Sequence, residues 1–266
     1  MLLEGKSNNL WICERKQGRV FVDFHNKLHH MDYSYSEHAQ YYVALDCIIF
    51  GFDRKNLKLL LIKRNFEPKK GEWSLMGSFL RPDESLDEAA GRILYNLTGL
   101  TDIYLEQLKG FGEVDRDPVA RTISVAYYAL INIHGHYEKL LPENGAKWFH
   151  MNELPDLIFD HEEMVLLAKK RLRQKASSQP VGFELLPDTF TLPELQQLYE
   201  AIYETDLDKR NFRRRILSMN VLEKTDKKQK KYSKKGAYLY KFDEEKYSDQ
   251  KGKNGGSKMM FKPPKV

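Results

Sequence analysis

Cysteine is scarce in this chain of 266 residues, which contains only Cys13 and Cys47. Two cysteines cannot build the disulfide framework of a small secreted domain, and Cys47 lies in an apolar stretch that is typical of a buried thiol. Long apolar runs are also absent, because the segment Val43–Phe52 is only about half of the ~20 residues that a transmembrane helix needs. No apolar signal-peptide segment follows Lys6. These absences predict a cytoplasmic protein that does not enter a membrane.

Acidic residues are scarce at the C-terminal end of the chain. Residues 205–266 hold 19 of the 43 lysines and arginines but only 8 of the 38 aspartates and glutamates. This end therefore carries a net charge of about +11, whereas residues 1–204 carry about −6. The asymmetry predicts a neutral or acidic body followed by a part that binds nucleic acid. A solvated basic tail is the alternative, because charge alone does not distinguish the two.

The first 30 residues do not predict a domain of their own. Their short apolar pieces, residues 10–13 and 20–24, have no evident partner in the sequence. We interpret residues 1–30 as an extension of uncertain structure. The domain would begin at Met31, where a polar segment leads into it. The alternative is an ordinary N-terminal strand or helix that docks on the body.

A loop followed by a helix, at residues 78–100, is the most informative stretch of the chain. Pro82, Asp83 and Glu84 are turn residues, and Ser85 with Glu88 three residues later forms a capping box. Apolar side chains then recur at helical spacing, and Gly99 is a typical helix terminator. These apolar residues are Leu86, Ala89, Ala90, Ile93, Leu94 and Leu97.

This loop and helix resemble the Nudix box, a motif of glycine, glutamate, arginine and apolar residues at fixed spacing. Five positions fit in register, namely Glu84, Arg92, Leu94, Gly99 and Leu100, and residues 73–77 resemble the strand that leads into the box. An unrelated capped helix would not need these residues in register. The resemblance implies an α+β fold in which a mixed sheet lies between helices.

The helix departs from the Nudix pattern where the chemistry of the family resides. The leading glycine is Ser78, and the three helix positions that carry metal-binding glutamates in active members are Ile93, Asn96 and Leu97. These positions share one helix face, where three carboxylates could hold Mg²⁺. We therefore expect no metal, no cofactor, no catalytic residue and no enzymatic activity. The alternative is that Glu84, Glu113 or Asp115 holds a metal elsewhere in the pocket.

Further patterns complete a first domain over residues 31–176. Strands are predicted at Tyr41–Phe52, Leu57–Lys63, Tyr104–Gly112, Arg121–Ile133 and Trp148–Met151, and a helix at His161–Lys175. The first two strands form a hairpin. The order β-β-β-α-β-β-β-α agrees with the sandwich that the resemblance implies.

Residues 177–182 break the pattern and predict a boundary, after which residues 183–247 form a second domain. Thr191, Pro193 and Glu194 start a helix with a capping box. A second, basic helix is predicted over residues 206–217, and a strand over residues 235–242 follows. This order is typical of a winged helix-turn-helix, whose second helix enters the major groove of DNA. Residues 248–266 predict a disordered basic tail.

The second helix and the wing supply the candidate DNA contacts. Arginine and asparagine suit bidentate contacts to bases, and lysines suit phosphates. The candidates are Lys209, Arg210, Asn211, Arg213, Arg214, Arg215, Lys234, Lys235 and Lys241. A degenerate Nudix domain followed by these motifs resembles the Nudix-related transcriptional regulators of the NrtR family, over roughly residues 31–247. The resemblance implies a repressor that leaves double-stranded operator DNA when it binds a small effector.

If the effector pocket keeps the position that it has in the family, its walls are the loops at residues 64–73, 78–84 and 113–121. The candidate residues are Phe66, Glu67, Trp73, Ser78, Arg81, Glu84, Asp115, Arg116 and Arg121. Carboxylates and aromatic rings suit a pentose, whereas guanidinium groups suit the phosphates of ADP-ribose. The absent metal and a resemblance to the sugar-responsive branch favour a pentose such as L-arabinose over ADP-ribose. The function predicted is thus a pentose-responsive repressor of carbohydrate catabolism genes that acts as a homodimer.

Two other functions stay open at this stage. One is an active Nudix hydrolase of nucleoside diphosphate derivatives such as ADP-ribose, with an accessory basic domain. The other is an interaction module without activity or DNA binding. The missing glutamates argue against the first, and the basic helix, in which residues 209–215 do not alternate in sign, argues against the second.

Overall fold

The computed structural model describes residues 12–16, 19–23, 35–99, 101, 103–133, 145–230 and 236–253. The strands are β1 (Ile12–Lys16), β2 (Arg19–Asp23), β3 (Tyr42–Phe52), β4 (Leu57–Lys63), β5 (Trp73–Ser74), β6 (Met76–Phe79), β7 (Glu106–Phe111), β8 (Thr122–Asn132), β9 (Lys147–His150), β10 (Phe190–Thr191), β11 (Leu222–Gln229) and β12 (Ala237–Phe242). The α-helices are α1 (Leu86–Thr98), α2 (His161–Ser178), α3 (Leu192–Tyr203), α4 (Lys209–Ser218) and α5 (Glu244–Lys253). Of these helices, none is long and apolar enough to cross a bilayer.

The N-terminal segment contains an antiparallel hairpin of β1 and β2, in which Ile12 pairs with Asp23. Sequence patterns gave no such element. The described residues up to Gln40 form one compact unit, and the described residues from Tyr41 onward form another.

A mixed seven-stranded sheet is the centre of the larger unit. Its main path is β5-β4-β3-β8-β7, with β6 paired to β3 and β9 paired to β4. β3 runs parallel to β8 and antiparallel to β4 and β6. The predicted mixed sheet is thereby confirmed.

Helix α1 covers one face of this sheet. Ser85 caps its first turn in a capping box with Glu88, and Gly99 ends it in the left-handed conformation, both as the sequence predicts. Ile93 is only 1% exposed and packs with Leu45 and other residues of β3 and β6. The apolar stripe of α1 is therefore a core contact.

Helix α2 covers the other face and joins it to the C-terminal domain. Its Val165 and Leu172 belong to the same hydrophobic cluster as Phe50 of β3 and Phe212 of α4. The predicted boundary at residues 177–182 is therefore not a free linker, because α2 runs to Ser178 and one core continues across it.

The C-terminal domain has the predicted winged-helix order with two further strands, β10 and β11. Thr191 and Glu194 form the capping box of α3, and Asp208 caps α4 by accepting from the Asn211 N–H group at 2.8 Å. Strands β10, β12 and β11 form a three-stranded sheet. Strand β10 has only two residues, and β11, the first strand of the wing, was missed because it is mostly polar and exposed.

The predicted disordered tail over residues 248–266 begins too early. Helix α5 continues to Lys253, so the proposed domain boundary at Tyr247 falls inside a helix. Acidic Glu244 and Glu245 occupy its first turn, where they favour a helix N-terminus. Residues 254–266 lie outside the described residues.

The burial of Ile93 yields a stability prediction. Ile93→Glu, which restores the acidic residue of the Nudix pattern, should lower the free energy of unfolding by about 3–5 kcal/mol, because the new carboxylate would be buried without a partner. Ile93→Val should lower it by only about 0.5–1.5 kcal/mol. Urea unfolding of both variants measures the difference. Equal stability of the two variants would mean that Ile93 does not face the core.

Candidate functional site

A cavity of about 370 Å³ opens between the sheet, the loop after β4 and the first turn of α2. This volume is within the range of small-molecule sites. The polar and aromatic side chains of its lining are Asp46, Lys63, Arg64, Asn65, Phe66, Ser74, Ser78, Phe79, Arg116, Asp117, Thr122, Phe159 and His161.

The floor of the cavity is a buried network centred on Asp46. Ser124 Oγ donates to Asp46 Oδ2 at 2.6 Å, and Arg116 Nη2 lies 3.7 Å from the same oxygen. Arg116 also donates two hydrogen bonds to Asp160, Nε to Oδ2 at 2.9 Å and Nη2 to Oδ1 at 2.7 Å. A Cβ on Gly77, the cross-strand partner of Asp46, would lie 2.2 Å from Asp46 Oδ1, so only glycine leaves room for this carboxylate.

His161 is held in one protonation state by this floor. The Leu75 N–H group donates to His161 Nδ1 at 3.1 Å, so the proton of the neutral ring lies on Nε2, 3.6 Å from Asp46 Oδ1. Burial lowers the pKa of His161 below its ordinary 6.5, and the charges of Asp46 and Asp160 oppose this shift. His161 is thus a neutral donor that faces Asp46.

Arg64 provides positive charge at the cavity wall. Its guanidinium lies over the Phe66 ring at 3.8 Å from the centroid, and its Nε donates to the Phe66 carbonyl at 3.2 Å. Within the described part of the chain, no acceptor is hydrogen-bonded to its two terminal nitrogens. A hydrogen bond joins the two ends of the loop that carries both residues, since the Gly71 N–H group donates to Arg64 O at 2.7 Å. Arg64 is therefore pre-positioned to bind an anion.

Three of the predicted effector residues line the cavity: Phe66, Ser78 and Arg116. Arg116 was a candidate phosphate ligand for the ADP-ribose alternative, but its side chain is only 3% exposed and is bound to Asp160 and Asp46. Phe66 is half exposed and supports Arg64.

Arg81 and Glu84, the two predicted effector residues in the loop before α1, do not line the cavity. Glu84 accepts from Arg92 Nε at 2.6 Å and from the Arg81 N–H group at 2.8 Å. The hydrogen bond from Arg92 is the main cause that lowers the pKa of Glu84 to about 2. The side chain of Arg81 is exposed. Glu84 and Arg92 thus fix the loop onto α1 and have a structural role.

Four other predicted effector residues also lie outside the cavity lining. Trp73 packs edge-on against Phe149 with ring centroids 4.7 Å apart. Arg121 donates to backbone carbonyls of the neighbouring loop, including Gly112 O at 2.9 Å. Asp115 and Glu67 are exposed loop residues.

Arg64 and Asp117 lie in two of the loops that the sequence predicts for the pocket wall, but they were not among the candidate residues, and nothing in the sequence analysis indicated Asp46 or His161. Asp46 did leave a signal, because it is the single charged residue of the apolar run 43–52, and a carboxylate in a buried strand needs partners. On α1, Asn96 is exposed, and the side chain of Leu97 lies outside the described part. Across the described residues, no three His, Cys, Asp or Glu side chains cluster closely enough to hold a metal ion.

The second candidate site is the exposed face of α4. All six of the predicted DNA contacts on this helix are exposed, namely Lys209, Arg210, Asn211, Arg213, Arg214 and Arg215. Phe212 and Ile216 are buried, and helical geometry places Arg210 and Arg214 on the side opposite to them. Arg214 also donates to Asn211 Oδ1 at 2.9 Å. The same geometry places Lys209 and Arg215 beside the buried face, farther from a groove.

Of the three predicted DNA contacts in the wing, only Lys241 lies within the described residues. Lys234 and Lys235 lie in the segment 231–235, outside the described residues. Lys241 is exposed, but it lies on the sheet face opposite to buried Tyr240 and pairs across the ladder with Glu223. Its position does not favour a DNA contact on the helix side of the wing.

The two sites are connected by α2. Its first residue, His161, lies in the cavity floor, and its C-terminal half contacts the end of α3. Arg173 donates to Ile202 O at 3.0 Å and to Tyr203 O at 3.2 Å, and its Nη2 lies 2.9 Å from Glu204 Oε2. Glu204 is the left-handed residue at which α3 turns toward α4.

Comparisons with known proteins agree with this architecture. The NUDIX domain family model matches residues 40–169, and the model of the NrtR DNA-binding winged helix domain matches residues 182–242. The chain is 36% identical to the ADPR responsive transcriptional repressor NtrR of Acinetobacter baylyi, over 79% of this chain and 85% of that protein.

Two further relatives cover different shares of the chain. The crystal structure of Shewanella oneidensis NrtR complexed with a 27mer DNA superposes with a TM-score of 0.68 at 31% identity, over 77% of this chain and 95% of that chain. The ADP-ribose pyrophosphatase of Methanocaldococcus jannaschii is 36% identical over 46% of this chain and 70% of that protein.

The protonation state of His161 predicts how stability depends on pH. Because burial lowers its pKa, the unfolded chain takes up the proton first, and stability is lost as the pH falls below about 6.5. The loss from this group is at most about 1.4 kcal/mol per pH unit. The Tm of the wild type should therefore fall more steeply than that of His161→Gln between pH 7 and about 5.5.

Thermal unfolding at several pH values measures these slopes. His150→Gln, a change of the same kind on β9 outside the cavity lining, is the matched control. If both variants had equal slopes, the acid sensitivity would not arise from His161.

Proposed function

The chain belongs to the NrtR family of regulators, which join a Nudix domain to a DNA-binding winged helix, and from this we propose its function. It is a transcriptional repressor that binds ADP-ribose in its Nudix cavity and then releases operator DNA. The observation that carries this proposal is the position of α2. This helix has 18 residues and is thus about 27 Å long. It starts in the cavity floor at His161 and is fixed to the end of α3 through Arg173. A ligand that shifts its first turn acts directly on the DNA-binding domain.

The cavity suits a phosphorylated ligand better than a free sugar. Arg64 lines a cavity of about 370 Å³, and a single pentose ring would leave much of that volume empty. Guanidinium groups bind phosphate oxygens in bidentate fashion, so Arg64 can hold the diphosphate without a metal. Asp46 and the Ser78 hydroxyl provide polar groups for a ribose.

The relatives support the same ligand. The Acinetobacter protein is named for its response to ADP-ribose, and the Methanocaldococcus protein is named as an ADP-ribose pyrophosphatase. The preference for a pentose and for carbohydrate catabolism, which rests on sequence motifs alone, finds no support in these comparisons. ADP-ribose is therefore the proposed effector.

The proposal includes loss of catalysis. Ile93 fills the core where active Nudix enzymes carry a glutamate on α1, and Asn96 is at best a weak neutral ligand. Glu84 is bound by Arg92, so it does not replace the missing carboxylates. ADP-ribose would then be bound and left intact.

DNA recognition would use two copies of the chain. A single winged helix reads a short half-site, and a two-fold dimer places two recognition helices about 34 Å apart, or a multiple of that, on a palindrome. Arg210 and Arg214, at the centre of the exposed face of α4, are the side chains best placed for base contacts. A homodimer is accordingly part of the proposal.

Effector release of DNA is the test of this function. A duplex selected by the wild-type protein from random sequences should be bound, and ADP-ribose should release it in fluorescence anisotropy, whereas L-arabinose should not. Arg64→Gln should bind the duplex normally but need about 10- to 100-fold more ADP-ribose, because it loses a charge-assisted hydrogen bond of about 1.5–3 kcal/mol.

Arg214→Gln is the matched control for this experiment. It removes a guanidinium from α4, so it should weaken DNA binding while leaving the calorimetric affinity for ADP-ribose unchanged. Release by L-arabinose and not by ADP-ribose would establish the pentose as the effector. DNA binding that neither ligand changes would show that the cavity does not control the winged helix.

Incubation with ADP-ribose and Mg²⁺ or Mn²⁺ should yield no AMP. The reason is that the carboxylates which neutralise the diphosphate and activate water are missing from α1. Chromatography of the reaction mixture measures AMP against a sample without protein. Formation of AMP that EDTA abolishes would favour the hydrolase instead.

A further inference from the structure

The wing carries two lysines on the side of its sheet that faces the helices. Leu222 pairs with Phe242, and Lys224 pairs with Tyr240, which is buried in the core that contains Phe212 of α4. Cross-strand partners lie on the same face of a sheet. One face of this sheet therefore contains both the buried residues of the core and the exposed residues of the wing.

A bulge in β11 decides which residue meets Tyr238. A regular ladder continued from the Lys224–Tyr240 pair would place Asp226 opposite Tyr238, but the register shifts after Lys224 and pairs Lys228 with Tyr238. Thr225 stabilises the shift, because its hydroxyl donates to Leu239 O at 3.0 Å. The bulge thus replaces an acidic neighbour by a basic one.

Both lysines lie against the one tyrosine ring. Lys224 Nζ is 3.6 Å and Lys228 Nζ is 4.4 Å from the ring centroid of Tyr238. A hydrogen bond from Lys228, together with the charge of Lys224, lowers the pKa of the Tyr238 phenol. The ring therefore holds two like charges close together on an exposed surface.

We propose that Lys224 and Lys228, positioned by the ring of Tyr238, form a phosphate-binding clamp on the helix-facing side of the wing. The inference rests on the proposed binding of DNA by the winged helix. Two ammonium groups that converge on one ring repel each other and attract an anion between them, and the DNA backbone is an anion that the exposed face of α4 would bring close. Holding long lysine side chains in place also reduces the entropy that binding would otherwise cost.

The salt dependence of binding to a random-sequence duplex of about 30 base pairs tests this clamp. Neutralising one phosphate contributes about 0.9 to the slope of log K against log salt, so Lys224→Gln combined with Lys228→Gln, which removes the clamp on one phosphate, should lower the slope by about 0.9. Lys241→Gln, on the opposite face of β12, is the matched control and should keep the wild-type slope. Circular dichroism should show that all variants are folded.

Two changes at Tyr238 separate positioning from general stability. Tyr238→Phe keeps the ring and should bind DNA nearly as the wild type does, whereas Tyr238→Leu should bind several-fold more weakly at an unchanged melting temperature. An unchanged slope in the double lysine variant, or equal affinities of the two Tyr238 variants, would overturn the clamp while leaving DNA binding by α4 intact. Absence of wild-type binding to the duplex would overturn both proposals.

Discussion

The packing of α2 between the sheet and the winged helix is the constraint on which the rest of the structure depends. Its apolar residues, such as Val165 and Leu172, lie in one cluster with residues of β3 and α4. Close-packed cores do not deform continuously, so the helix moves as a rigid body or not at all. The cavity and the DNA-binding surface are therefore joined through one packed core although about 140 residues separate Asp46 from the start of the winged helix.

The buried charges at the start of α2 make that end of the helix sensitive to a ligand. Asp160 stands at the N-cap position but makes no side-chain cap, because its carboxylate is bound by Arg116. A buried pair of this kind recovers its desolvation cost only while its hydrogen bonds are intact. A phosphate at the neighbouring Arg64 would add negative charge beside Asp46 and Asp160, and the first turn of α2 would respond to it.

Local patterns in the sequence predicted the elements well, whereas contacts distant along the chain decided the site. The caps of α1 and α3 and the basic face of α4 depend on neighbours within one or two turns, so their sequences were sufficient. Asp46, Arg116 and His161 come from three different elements and meet only through the pairing of β3 with β8 and the docking of α2. The face on which Lys241 lies depends on a strand register that composition does not encode.

The hydrogen bonds near the C-terminal end of α2 have a strength that suits a switch between two states. Coupling between two sites in regulators is typically 1–3 kcal/mol, and a hydrogen bond to a charged group contributes about 1.5–3 kcal/mol. The hydrogen bonds of Arg173 to Ile202 O and Tyr203 O thus have the size that coupling requires, and losing one of them would suffice. Their acceptors directly precede Glu204, the left-handed residue that ends α3 before the chain continues to α4. A shift of α2 would accordingly act on the orientation of the recognition helix through this turn and through the core that the two helices share.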